Sequence, residues 1–211
     1  MAPKRVIEGP ATKLGRTMHG IVVDQVHDEI IVGNPLASAV LVFRGQARGN
    51  EAPLRIIQGP RTGFIRPHSV TYDPVNEEIV VSDSRSGSVS TFPRLANGDV
   101  TPLRSIRGPK TKLFWTGGLA VDPVRNLLLV ANQKAGEEKL GALFIFNRTD
   151  DGDVAPRAII HGWGFPFGFT VHDGKIYAGV QRETAPYPYA GDNPRSEATF
   201  RDRIKIGRAH V

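Results

Sequence analysis

The chain consists of one unit of about 50 residues repeated in tandem, and this repeat limits the possible folds more than any other feature. One block begins at Ala2-Pro-Lys-Arg, Ala52-Pro-Leu-Arg and Thr101-Pro-Leu-Arg, at steps of 50 and 49 residues. A fourth copy, Ala155-Pro-Arg-Ala, follows after 54 residues. A second block keeps the same spacing: Gly20–Asp24, Ser69–Asp73, Gly118–Asp122 and Gly168–His172. Two independent blocks with one period identify a true internal repeat.

Within each unit the pattern indicates four short strands, A to D, and no helix. Strand A is the second block, and the turn after it, as in Asp73-Pro74, has the residues that a type I turn prefers. Strands B and C are rich in β-branched and aromatic residues, as in Ser88–Phe92, and Asn97-Gly98 marks the turn toward strand D. Four strands in each unit, repeated radially, predict an all-β fold of β-propeller blades with strand A innermost.

The repeat predicts a partial propeller over residues 1–205, an open arc of about three and a half blades and half of a six-bladed ring. The expected units are strand D of a preceding or closing blade (2–9), blade 1 (19–58), blade 2 (68–107), blade 3 (117–161) and partial blade 4 (167–205). Residues 206–211 correspond to one reading frame of a common sequencing adapter. We therefore expect a non-native tail on a C-terminally truncated protein, whose open arc should self-associate.

The repeated blocks resemble the NHL-type propeller repeats that are common in bacteria. The likeness is carried by Ala52–Gly63, Ser69–Ser84 and Ser88–Pro109, and it extends over roughly residues 2–181. It implies a ring of six blades, related to gluconolactonase-like and amidating-lyase propellers. It implies no single activity, because this fold supports many functions.

Composition excludes several classes of function. The chain has no cysteine, so disulfides, zinc–thiolate sites and cysteine nucleophiles are excluded. No run of 18 apolar residues predicts a membrane span, and no apolar segment follows Met1–Arg5 as in a secretory signal, so the compartment stays open. The net charge of +6 is compatible with anionic partners and equally with a solubilising surface.

Strand direction predicts which loops act together. The start of strand A and the end of strand B should lie on one face near the axis, together with the D–A and B–C loops. Polar side chains at these two positions form the predicted ligand-binding set: His19, His68, Asn34, Asp83 and Asn132. Among them His19, His68 and Asp83 are the candidate ligands of a divalent cation, the one cofactor we consider. The alternative is that these side chains are polar groups at the rim of the axial channel, hydrogen-bonded only to water and backbone.

The D–A loops also carry cations that should surround this set and could bind anions. They are Lys13, Arg16, Arg61, Arg66, Lys110 and Lys112. RNA is the less favoured partner, since single strands need aromatic stacking platforms. Trp115, Trp163 and Phe165 lie in these loops, but the pattern of Gly162–Phe169 is more typical of apolar packing. A small molecule or a protein is the expected partner.

Two other repeated series are predicted to be structural. Asp24, Asp73 and Asp122 fall at the A–B turn, on the opposite face, where aspartate caps turns. Arg5, Arg55 and Arg104 share one position of strand D, where an arginine pairs with neighbours or covers apolar surface.

The sequence favours a non-catalytic binding module. The alternative is a metal-dependent hydrolase or lyase of the gluconolactonase-like type, whose metal-binding Glu stands at the entry to strand A. Here that position holds His19, His68, Gly117 and Phe167. The amidating-lyase comparison would make the two histidines zinc ligands but lacks a third. No catalytic residue is therefore assigned.

Overall fold

The computed structural model describes residues 3–133, 141–161, 165–172 and 175–181. The expected non-native tail, 206–211, and the part of blade 4 after Gln181 lie outside the described residues. None of the described helices has the length and apolar character needed to span a membrane.

The strands form successive antiparallel sheets. Blade 1 contains β1 (His19–Asp24), β2 (Glu29–Asn34), β3 (Ala39–Arg44) and β4 (Arg55–Gln58). Blade 2 contains β5 (Pro67–Asp73), β6 (Glu78–Asp83), β7 (Ser88–Pro93) and β8 (Arg104–Ile106). Blade 3 contains β9 (Thr116–Asp122), β10 (Leu127–Asn132), β11 (Ala142–Asn147) and β12 (Ala158–Ile160). A two-stranded unit, β13 (Phe165–His172) and β14 (Lys175–Gln181), follows.

The sheets are arranged as propeller blades. Each four-stranded sheet has its strands in sequence order. The first strands of successive units, β1, β5, β9 and β13, contact one another in turn, so strand A is the innermost strand. These observations confirm the predicted all-β architecture of blades.

The core lies between the blades. In β3 the side chains of Val40 and Val42 point toward blade 2 and pack in a cluster with Ile79 and Phe92. The alternate residues of β3, including Leu41, belong to a second cluster on the other side of the sheet. Because successive side chains of a strand point to opposite faces, the continuous apolar run of β3 supplies both clusters.

The outer face of blade 1 is not covered in the same way. Ile21 and Val23 of β1 are 68% and 53% exposed. Their equivalents in β5, Val70 and Tyr72, are buried against blade 1. Residues 5–9 lie only at the periphery of this face, where Ile7 bridges Gly49. The described structure therefore leaves a blade-to-blade surface open at β1.

The repeated Gly-Pro-x-Thr segment forms a short turn after strand D rather than extending the strand. Pro60–Thr62 is one turn of 3-10 helix, and the buried hydroxyl of Thr62 donates to the carbonyl of Gly59. The same hydroxyl accepts from the backbone N–H of Phe64. Proline begins such a turn with its φ already set, and the threonine fixes the direction of the D–A loop.

Neighbouring blades are also joined at their periphery. Ile57 at the end of β4 forms a parallel bridge with Gly98 of the next blade. Asp99 accepts from the backbone N–H of Arg61, and the same arrangement recurs between Lys110 and Asp153. Gly59 has a φ of 135°, and a Cβ there would lie 2.5 Å from Asp99. Glycine is therefore required for this close approach.

Candidate functional site

The strand registers define two surfaces of the arc. His19 pairs with Gly33, Pro67 with Asp83, and Thr116 with Asn132, so strand A begins where strand B ends. We call this surface, with the D–A and B–C loops, the loop face. Asp24 pairs with Glu29 at the other end. We call that surface, with the A–B turns, the turn face.

On the turn face the polar groups are paired with one another. The carboxylate of Asp73 accepts from the backbone N–H groups of Val75 and Asn76 at 3.0 Å, as a turn cap does. Asp24 and Asp122 make the equivalent bonds, to His27 N–H and Arg125 N–H. The predicted turn-capping role of this series is confirmed.

Buried ion pairs on the turn face join blades. Glu78 is bonded by Arg104 of its own blade at 2.6 Å and by Arg148 of blade 3 at 2.7 Å. Glu29 binds Arg55 at 2.7 Å and Arg94 of blade 2 at 3.5 Å. The predicted pairing of the strand D arginines is thus confirmed for Arg55 and Arg104. Arg5 instead donates to the carbonyl of Gly45 and to Gln46.

Asp83, at the end of β6, holds the two loops of the loop face together. Its Oδ2 accepts from the backbone N–H groups of Ile65 and Arg66, at 2.7 and 2.6 Å. Its Oδ1 accepts from the N–H groups of Arg85 and Ser86. Asp83 is 2% exposed, and these four bonds occupy both oxygens. The carboxylate therefore anchors the D–A and B–C loops of blade 2.

The asparagines at the same position act similarly. Asn132 accepts from the N–H of Phe114 at 2.8 Å and donates to the carbonyl of Lys112. Asn34 donates to the carbonyl of Lys13 at 2.8 Å, but its buried Oδ1 has no partner in the described residues. The D–A loop before blade 1 is one residue longer than the others, from Thr12 to His19, and its Gly15 lies against this oxygen, where a Cβ would come within 2.8 Å.

His19 and His68 meet at the axial end of neighbouring blades. Their ring centroids are 4.3 Å apart, at an interplanar angle of 35°. Burial, followed by the charges of His19 and Arg66, lowers the pKa of His68 to about 4. His68 is therefore neutral at pH 7. Its buried Nδ1 has no partner among the described residues.

The structure brings His19 and His68 together. The third predicted metal ligand, Asp83, instead accepts hydrogen bonds from the backbone of its two loops. Within the described residues no group of three His, Asp or Glu side chains is placed to hold a metal ion. At the strand A entry of blade 3 stands Gly117, and the side chain of Phe167 lies outside the described residues.

The six predicted loop cations are all exposed, yet they do not form one group. Arg61 is directed to the periphery, where it bonds the backbone carbonyl of Asp99 and lies 3.4 Å from its carboxylate. Arg66 lies on the loop face itself. Its backbone carbonyl accepts from the N–H of Ser84 in the B–C loop.

A cavity of about 490 Å³ opens on the loop face between blades 2 and 3. Its walls come from the D–A loop before blade 2, the B–C loop of blade 2 and the D–A loop before blade 3. The lining residues that matter chemically are Arg66, Arg85, Ser86, Leu113, Phe114 and Trp115. Phe114 and Trp115 are 61% and 46% exposed. Exposed aromatic side chains beside two arginines are typical of a binding surface.

Gly87 shapes this cavity. Its φ is 60°, and a Cβ there would lie 2.8 Å from the carbonyl oxygen of Leu113. At the equivalent position of blade 1 stands Ser38, whose hydroxyl donates to the carbonyl of Ile65. The serine thus bridges the loops between blades 1 and 2, whereas the glycine brings the backbone of one loop against the other without a bridging side chain.

Trp115 has an uncommon backbone conformation for its size. Its φ is 50°, whereas Arg66, at the equivalent position of blade 2, has an ordinary negative φ. A bulky residue in the left-handed region costs on the order of 1–3 kcal/mol and is frequent at binding sites.

Sequence reasoning located this face but not the cavity. Arg66 belonged to the predicted cations, and Trp115 was identified in a D–A loop but not assigned to the predicted site. Arg85 and Phe114 were missed, although Arg85 follows Asp83 by two residues in a loop assigned to this face. The side chains of Trp163 and Phe165 lie outside the described residues.

Comparison with solved structures supports the fold. No family model matches the chain, and no curated protein matches its sequence. A chain from the nidogen/laminin complex is 16% identical at a TM-score of 0.55, over 80% of this chain and 57% of that one. The computationally designed Ika4 protein is 10% identical at a TM-score of 0.56, over 85% of this chain and 94% of that one.

A second designed protein, Ika8, is 11% identical at a TM-score of 0.54, over 83% of this chain and 45% of its own. The match with the nidogen/laminin chain spans little more than half the length of that chain. At such identities the likeness shows the fold alone, and the fold is that of β-propeller blades.

Proposed function

We propose that this chain is part of an NHL-type six-bladed propeller that acts as a binding module through its loop face. The observation that carries the proposal is the cavity between blades 2 and 3, which combines exposed aromatic side chains with two arginines. The propeller fold is compatible with a binding module in general, and the repeated Gly-Pro-x-Thr and strand A blocks support the NHL assignment.

The turn face and the loop face differ in whether their arginines are paired with carboxylates. On the turn face, the arginines that reach Glu29 and Glu78 are paired and largely buried. On the loop face, Arg66 and Arg85 have no carboxylate partner within the described part of the chain. Charges without an internal partner are available to a ligand.

In this proposal the five residues of the predicted ligand-binding set have two different roles. Asn34, Asp83 and Asn132 act indirectly, since they hold the D–A loops that carry the binding groups. His19 and His68 are the groups nearest the axis and the candidates for direct contact with a ligand or a divalent cation. Of the six predicted loop cations, Arg66 lines the cavity, together with Arg85, which was not among them.

A small molecule is the preferred partner, because the aromatic side chains converge on one cavity rather than forming a track along the face. A protein partner is the second candidate. It is favoured by the exposure of Phe114, and the similar chain of known structure comes from a complex of two proteins, nidogen and laminin.

Soaking crystals of the chain in phenol, benzamide and imidazole tests the face assignment. We expect these probes to occupy the loop face between blades 2 and 3, with imidazole also beside His19 and His68. Phenol bound at the open surface of β1 is expected in either case and serves as the internal control. Probes that gathered at the A–B turns and avoided the loop face would refute the proposal.

A further inference from the structure

We infer that the cavity between blades 2 and 3 binds a small anionic ligand with a flat apolar body, such as an aromatic carboxylate or phosphate. This inference rests on the proposed function, because it assigns a ligand class to the same loop face.

Two arginines of the cavity favour an anionic ligand. Arg66 and Arg85 line the cavity from two different loops and are both exposed. Asp83 is the carboxylate that lies between these loops, but its two oxygens already accept four backbone N–H bonds. It is therefore directed into the loops and supplies no hydrogen-bond partner to either guanidinium. An incoming carboxylate or phosphate would supply it.

One wall of the cavity is apolar and favours a ligand with a flat ring. Leu113, Phe114 and Trp115 follow one another along the D–A loop of blade 3 and form one side of the cavity. A flat ring can stack on an exposed indole or phenyl group and remove apolar surface from water. A ligand with both a ring and an anion would satisfy both sides at once.

The cavity has the size of a small-molecule site and differs from the equivalent crevice between blades 1 and 2. A volume of about 490 Å³ lies within the range of small-molecule sites, roughly 300–1,000 Å³. The equivalent crevice between blades 1 and 2 differs in each component. Ser38 bridges its loops there by bonding Ile65. In that crevice Arg66 takes the position of Trp115, and Thr17 takes the position of Arg66. The ligand therefore fits one crevice and not every blade.

The experiment uses the fluorescence of Trp115 in a Trp163→Phe background, since these are the two tryptophans of the chain. The probes are 1-naphthyl phosphate and 1-naphthoate, with 1-naphthol as the ring alone and inorganic phosphate as the anion alone. We expect the first two probes to change the Trp115 emission with saturation, and to bind at least about tenfold more tightly than either control. Added salt should weaken both.

Variants then locate the site. Arg66→Ala with Arg85→Ala should lower the affinity for 1-naphthyl phosphate about tenfold or more, because two charge-assisted contacts are lost. Gly87→Ser, which copies Ser38 of blade 1, should also weaken binding by filling the gap between the loops. Arg44→Ala with Arg125→Ala removes the same charge from the turn face and should leave the affinity unchanged.

Several results would overturn the inference. Equal affinity for 1-naphthol and 1-naphthyl phosphate would make the cavity merely apolar, and equal affinity for inorganic phosphate would make it a general anion site. Displacement by oligouridine with a steep dependence on salt would favour RNA instead. In these cases phenol bound on the loop face of crystals would still support the proposed function, so the two failures are distinguishable.

Discussion

The turn face and the loop face contain similar residues used in opposite ways. On the turn face, Glu78 gathers Arg104 and Arg148 into a buried cluster that joins two blades. On the loop face, Arg66 and Arg85 are exposed, and the nearby carboxylate of Asp83 is bonded to backbone. The difference indicates that charge on one face stabilises the arc, whereas charge on the other is left for a ligand.

The comparison also shows how to interpret a polar residue that recurs in every repeat. Asp73 and Asp83 belong to different series and lie on different faces, yet both accept backbone N–H groups. Phe114, Trp115 and Arg85 do not recur at their positions and line the cavity. In this propeller, recurrence therefore marks architecture, and departure from the repeat marks the candidate site.

The largest expected effect is on the turn face. Glu78→Gln removes the carboxylate that Arg104 and Arg148 share and leaves Arg148 only its 3.6 Å contact with Asp73, so we expect a loss of about 3 kcal/mol in the free energy of unfolding. Glu77→Gln, at the adjacent exposed position, is the control and should change stability by less than about 0.5 kcal/mol. Urea denaturation measures both. Equal losses in the two variants would remove the structural role assigned to this cluster.

The second prediction tests whether Asp83 holds loops or binds ligand. Asp83→Ala should cost about 2 kcal/mol, because four backbone N–H groups lose their acceptor. Asp83→Asn should cost less, since asparagine fills this position in blades 1 and 3. Asp73→Ala, with two such bonds, should cost about 1 kcal/mol.

The three variants Asp83→Ala, Asp83→Asn and Asp73→Ala are each measured by urea denaturation and by titration with 1-naphthyl phosphate. If Asp83→Asn kept its stability but abolished binding, Asp83 would be a ligand-contacting residue and the anchoring role would be secondary.

Much of the fold could be predicted from the sequence, because one apolar pattern repeated at steps of 50 and 49 residues admits few arrangements. The choice of face was also predictable, since antiparallel pairing places His68 near Asp83. The cavity was not predictable. It depends on a backbone approach between Gly87 and Leu113 and on the left-handed φ of Trp115, neither of which a residue pattern encodes.

The third prediction concerns the open surface of β1. Ile21→Lys should reduce self-association of the chain several-fold, because Ile21 occupies a position that is buried between blades 1 and 2 at Val70. Val26→Lys, at an equally exposed apolar position in the A–B turn, is the control. Sedimentation velocity over a range of concentrations measures the effect. A wild-type chain that stays monomeric throughout would contradict the expectation.

The smallest expected effect is the pH dependence of His68. Its pKa in the folded chain, about 4, lies below the ordinary value of 6.5, so between these values the unfolded chain binds a proton that the folded chain does not. Stability should therefore fall as the pH drops from 6.5 toward 4. His68→Gln should lose less stability than the wild type between pH 7 and 5 in thermal melts. Identical losses would show that His68 is not held neutral.

The melting temperature with and without saturating 1-naphthyl phosphate tests the division between the faces most directly, because it reports stability and binding together. Glu78→Gln should melt lower than the wild type but keep the full ligand-induced rise. Arg66→Ala with Arg85→Ala should melt like the wild type and lose most of that rise. The account would be contradicted if the Glu78 variant lost the rise while the double arginine variant kept it.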